Sequence, residues 1–228
     1  MGIESYHRLA DLYEYPTEGY LDRVNASGAF VAQAYPKASH WLETFVELLP
    51  DGELRAKQEL YTRSFDVQAI TTLDVGYVLF GEDYKRGELL ANLMREHRLA
   101  DNECGTELGD FLPNLLRLLP KMEDRALAEE LVQEIIVPAL RKMIAEFDGP
   151  LMAKKDANYK KHHKTLIEAD EGTRLVFLNL LHLLYAVLET DYELKAEPLI
   201  ESTSDFLKSL HVEMTLANPT GKLHLPTW

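Results

Sequence analysis

The stretch Asp124–Phe147, DRALAEELVQEIIVPALRKMIAEF, sets the fold class. Leu127, Leu131, Ile135, Ala139, Met143 and Phe147 recur every fourth residue. That period lines one stripe of a helix, whereas a strand would alternate every second residue. Pro138 lies inside the run and has no amide to donate to the Glu134 carbonyl, so a kink is expected there.

Working outward, the same helical period recurs and no alternating strand pattern interrupts it. Downstream, Gly149-Pro150 opens a polar stretch at 149–171 that reads as a mobile linker or loop. Its segment Lys154–Lys164, KKDANYKKHHK, holds five lysines and one aspartate, a net +4 in a chain of net −14. The plain reading is a solvated linker; a second is contact with an anionic cofactor or an acidic partner. Leu175–Leu188 is nearly all apolar over 14 residues, short of the roughly 20 that span a bilayer, and so reads as a buried core helix. Phe206, Leu207, Leu210 and Met214 suggest a last amphipathic helix, with an irregular tail at about 217–228.

Upstream, a helix is expected from about Glu4 to Tyr15, stopped by Pro16. Thr17 is expected to cap a second helix ending near Ala26-Ser27-Gly28. Trp41, Phe45, Leu48 and Leu49 mark a third, and Leu54, Leu60, Tyr61 and Phe65 a fourth. Thr72–Phe80 and Asp83–Leu99 follow, separated by Gly81, with Thr71 and Asp74 at capping-box spacing. Another helix ends at Leu119, before Pro120. The expectation is therefore an all-α, single-domain multi-helix bundle over residues 1–228.

The chain has 46% hydrophobic and 27% charged residues, ordinary for a globular protein. Its net charge of −14 disfavours nucleic acid, whose phosphates require basic groups. A single cysteine, Cys104, allows no internal disulfide, and the first 16 residues lack the pattern of a secretory signal. A cytoplasmic protein without membrane insertion is expected.

Catalytic motifs are sparse. There is no phosphate-binding glycine loop, no G-x-S-x-G and no HExxH. Glu4 with His7 is the one Glu-x-x-His spacing; a helical metal-dependent enzyme using these and other carboxylates is the alternative on the enzyme side. His162-His163 sit among lysines, and His182, on an apolar helix, is expected to be a hydrogen-bonded core histidine.

The segment Leu60–Leu119, LYTRSFDVQAITTLDVGYVLFGEDYKRGELLANLMREHRLADNECGTELGDFLPNLLRLL, carries more information. Tyr61 with Ser64-Phe65-Asp66, Tyr77 with Phe80-Gly81 and Arg86-Gly87, and Glu107-Leu108-Gly109-Asp110-Phe111-Leu112-Pro113 resemble the redox-enzyme maturation chaperones. This is the TorD/DmsD/NarJ superfamily, and the nearer branch is the nitrate reductase delta-subunit one. That family's usual Glu-Leu-Pro-Asp-His-Leu has Gly109 and Phe111 in place of its proline and histidine here. Any role of the histidine does not carry over.

The resemblance implies a cytoplasmic assembly chaperone without a cofactor of its own. It would bind the N-terminal signal or remnant peptide of a molybdopterin oxidoreductase's catalytic subunit and hold that subunit for cofactor insertion. The protein itself would be a monomer or weak dimer and not an enzyme. A general helical adaptor remains as a further alternative. The peptide site implied comprises Glu107, Asp110, Phe111, Pro113, Tyr61, Phe65, Tyr77, Phe80 and Gly81. From the residues alone, Pro113 belongs in the first turn of a helix, which puts Asp110 near its N-cap. Asp110 then either only caps the helix or also meets an arginine of the peptide with Glu107. The four aromatics read as core residues, one or two of which line a peptide groove.

Overall fold

The computed structural model describes residues 3–147, 175–192 and 194. The expected linker at 149–171, the last amphipathic helix and the tail lie outside them. Among the described residues the chain is helical, with one antiparallel bridge, Asp74 to Phe111, and no strand. The all-α expectation holds.

The helices are α1 Ile3–Asp11, α2 Tyr20–Ala34, α3 Ser39–Leu48, α4 Leu54–Phe65, α5 Val75–Phe80, α6 Tyr84–Leu99, α7 Leu112–Leu118, α8 Arg125–Glu130, α9 Val137–Glu146 and α10 Val176–Asp191. The apolar helix foreseen around Leu175–Leu188 is α10, and it forms the centre. Val176, Phe177, Leu180, Leu181, Leu183, Leu184, Val187 and Leu188 are all buried, as a helix apolar on every side must be. It packs chiefly on α3 and α9, while α1 lies along α7 and α5 along α9.

The every-fourth-residue stripe is buried throughout, but the helix carrying it is not uniform. Leu131–Ile136, between α8 and α9, winds as a π-helix. At 3.6 residues per turn, a stripe of period four drifts by about 40° per step. A wider turn reduces that drift, and it falls where Pro138 has no amide to offer Glu134. The missing amide at Pro138 is thus met by a change of winding.

Several helix ends differ from expectation, α1 stopping at Asp11 among them. α2 starts at Tyr20 behind Gly19, whose φ is 76°, with no side-chain cap; Thr17 instead accepts from Arg23 at 3.1 Å. α2 also continues through Ala26-Ser27-Gly28 to Ala34. Ser27 is buried between helices, its Oγ donating to the Arg8 carbonyl at 3.1 Å, and Gly28 lies beside Leu42, 3.9 Å from where a Cβ would stand. Pro120 likewise does not end the chain's winding, since Leu119–Lys121 continues as a 3-10 turn.

Phenols tie α1 and its following turn to the centre. Tyr13 donates to the Leu180 carbonyl, Tyr61 to the Tyr13 carbonyl at 3.1 Å, and Tyr20 to the Leu12 carbonyl at 3.1 Å. Burial pushes all three phenols above their ordinary range. Tyr6 and Tyr35 both donate to Asp191 at the end of α10, at 3.2 and 2.8 Å. His182 is not the hydrogen-bonded core residue expected: it is half-buried and stacks on Trp41, ring centroids 4.5 Å apart.

Candidate functional site

The turn at 107–113 docks on the start of α5. Val75 N donates to the Asp110 carbonyl and Leu112 N to the Leu73 carbonyl, both at 2.9 Å. These bonds hold Asp110 against Gly76, where a Cβ would lie 2.6 Å from Asp110 Oδ2 and 3.1 Å from Leu89. Only glycine fits there.

Asp110 is 0% exposed and its carboxylate is committed. Arg86 of α6 donates from Nε to Oδ2 at 2.9 Å and from Nη2 to Oδ1 at 3.4 Å. The same Nη2 reaches Asp74 Oδ2 at 3.2 Å, and the guanidinium lies 5.3 Å from the Tyr77 ring centroid. This corrects the expected cap. The N-cap of α7 is Phe111, with no side-chain hydrogen bond, although Pro113 does fall in the first turn. Asp110 sits one residue earlier, and two charge-assisted bonds to a guanidinium outweigh one amide bond. Its carboxylate is therefore not available to an arginine of another chain while Arg86 holds it. Asp74 is the N-cap of α5, but its carboxylate also turns to Arg86 and makes no cap bond.

Around this buried pair lies a partly exposed acidic and aromatic surface. Glu107 and Asp66 are exposed and make no ion pair among the described residues. Burial, then Asp74, Glu14 and Asp66, pushes the Glu107 carboxyl up. Asp66 is raised by burial, and Asp74 by burial and by Asp110 against the opposing pull of Arg86. Glu14 and Asp11 are engaged by Arg117 at 2.6 and 2.8 Å, which clasps α7 to the end of α1. Three stretches distant in sequence, around Glu14, Asp66–Asp74 and Glu107, thus concentrate negative charge at one place. The Tyr61 phenol, next to Asp66, Glu14 and Glu107, feels the same field.

Aromatic and aliphatic residues adjoin these carboxylates in the chain or on Tyr61. Tyr15, 44% exposed, meets Tyr61 edge-on at 5.4 Å, and Tyr77 is 43% exposed. Val67 and Leu108, beside Asp66 and Glu107, are exposed too. Of the nine residues named from sequence, Glu107, Asp110, Phe111, Tyr77 and the Tyr61 hydroxyl gather here. Tyr61 and Phe65 are otherwise buried, ringed by Phe177 at 5.7 and 4.8 Å. Pro113 is buried, Phe80 is half-buried against the core, and Gly81 ends α5 with φ 61°. Glu14, Tyr15, Asp66, Asp74 and Arg86 were not named as site residues. Arg86 and Asp66 lie inside the resembling motifs, and Asp74 stands in the same stretch at capping-box spacing from Thr71.

The side chain of Glu4 is outside the described residues. His7 is faced by Arg117 and Lys121, which with burial lower its basicity. Among the described residues no three His, Cys, Asp or Glu side chains are grouped to hold a metal ion, and no helix is long and apolar enough to cross a membrane. In comparison with known proteins, no family model, no curated protein and no solved structure matches this chain.

Proposed function

We propose that the chain is a cytoplasmic assembly chaperone that binds the basic N-terminal peptide of a molybdopterin oxidoreductase's catalytic subunit, in a bundle of the TorD/NarJ type. One observation carries the reading. Asp66, Tyr77, Arg86 and Glu107, all from the motifs behind the resemblance, are far apart in sequence yet meet at a single acidic, aromatic surface over the buried Asp110. Asp66 and Glu107 present unpaired carboxylates to a cation, while Tyr15, Tyr77, Val67 and Leu108 offer apolar contact to the residues beside it. Asp110 supports the site from beneath and does not touch the peptide.

Such a surface favours moderate affinity. The large aromatics Tyr61 and Phe65 are already spent in the core, and ordering a peptide costs about 2–5 kcal/mol or more. A dissociation constant near micromolar, about −8 kcal/mol, is what a releasable hold requires.

The test is titration of a fluorescent peptide copying the N-terminus of a molybdopterin oxidoreductase catalytic subunit. Asp66→Asn with Glu107→Gln is expected to weaken binding about 5- to 30-fold, or about 1–2 kcal/mol, at unchanged thermal stability. Wild-type affinity should fall with added salt and that of the double variant much less. Equal affinity of a folded double variant, or of a peptide whose arginines are replaced by glutamine, removes this surface as the site.

A further inference from the structure

The loop joining α6 to α7, residues 100–111, is fastened by a buried histidine. His97 is 1% exposed. Its Nδ1 lies 3.0 Å from Asn102 Nδ2, and its Nε2 lies 2.9 Å from the Gly109 carbonyl. The carbonyl can only accept, so the ring proton is on Nε2 and Nδ1 accepts from the Asn102 amide. The other hydrogen of that amide goes to the Asn114 carbonyl at 3.2 Å, and Asn102 N donates to the His97 carbonyl at 2.8 Å. Asn114 completes the fastening, donating from Nδ2 to the Cys104 and Leu108 carbonyls at 3.2 and 3.0 Å. The ring has little room, since a Cβ on Gly109 would come 3.2 Å from its Cδ2.

A second proton on the imidazole has no place in this arrangement. It would set Nδ1–H against the N–H of Asn102. Turning the Asn102 amide over would offer its oxygen but withdraw the donor from the Asn114 carbonyl. Two charges bear on the ring. Lys121, in the 3-10 turn after α7, opposes a cation, and Glu96 on α6 favours one. Asn102 and Asn114, from the loop and from α7, are neutral.

We propose that His97 is a proton-operated latch, closed on the loop while the imidazole is neutral and released when it takes a second proton. Burial, the largest influence, with Lys121, holds the closed-state imidazole below its ordinary basicity. The open state therefore binds more protons just below pH 6.5, and the closed loop loses stability as pH falls through that value. Asp74 and Glu107 shift the opposite way; their protonation relieves repulsion and would tighten the folded state at lower pH. Because the loop carries Glu107 and Leu108, opening withdraws part of the acidic surface. If the peptide-binding reading holds, acidification releases the peptide.

Hydrogen–deuterium exchange on the full chain from pH 8 to 5.5, corrected for intrinsic rates, tests the latch without any peptide. Amides of 101–111 are expected to lose protection below about pH 6.5, by up to about tenfold per pH unit, while those of α10 do not. In His97→Gln, the carboxamide can donate to Gly109 and accept from Asn102 without titrating, so loop protection should be independent of pH. Should that variant not fold, Asn102→Asp offers the imidazolium a carboxylate; the His97 pKa read by NMR should rise and the acid opening vanish. Flat wild-type protection across the range, or the same pH dependence in His97→Gln, overturns the proposal.

Discussion

Asp110→Asn is expected to destabilise the protein by about 3 kcal/mol and to lower Tm by about 6–12 °C. The substitution keeps the shape of the side chain and removes its charge, leaving the Arg86 guanidinium half of its partnership. Breaking a buried pair from one side costs about 3–5 kcal/mol, and the lower end applies because Asp74 stays within 3.2 Å. Gly76→Ala should approach the same loss by a different route, about 2–3 kcal/mol. Its new methyl would meet an Oδ2 at 2.6 Å that Arg86 and the backbone prevent from moving. Urea denaturation measures both. Combining Arg86→Met with Asp110→Asn should cost clearly less than the sum of the single changes, because the second loss removes an already unpaired group. Strict additivity would mean that the pair contributes nothing as a pair.

Phe177→Ala should cost about 3–5 kcal/mol. Phe177 is the point at which α10 meets three other aromatic rings: Phe45 at 5.6 Å, Tyr61 at 5.7 Å and Phe65 at 4.8 Å. Those neighbours are fixed by their own packing, and Tyr61 also by its bond to the Tyr13 carbonyl, so the vacated volume cannot collapse. Phe177→Leu keeps most of the volume and should lose less than half as much. A loss below about 1 kcal/mol for the alanine variant would show that this cluster is not a rigid centre. The candidate surface should suffer as well, since Tyr61 underlies Tyr15.

The helices were legible because burial repeats with the helical period: Leu127 to Phe147 in fours, and the apolar run of α10. Ends were less legible. Ala26-Ser27-Gly28 resembles a stop in one dimension, but in three it is where α2 comes close to α1 and α3. Asp110 resembled a cap because its nearest sequence neighbours form a helix start; its actual partner, Arg86, is 24 residues away. The acidic surface was hidden for the same reason. Glu14, the pair Asp66 and Asp74, and Glu107 come from three stretches of the chain, and no local pattern links the three. What the motifs did supply was the identity of the pieces, Glu107 to Pro113 and Tyr77 among them, and not the way they lock together.

The enclosed position of α10 has a consequence for biosynthesis. Tyr13 reaches across 167 residues to the Leu180 carbonyl, and Phe45 waits for Phe177. A nascent chain must leave the ribosome past residue 191 before its early helices find the post they surround. Until then their greasy inner sides are uncovered, so the half-made chain carries an exposed apolar surface for most of its synthesis.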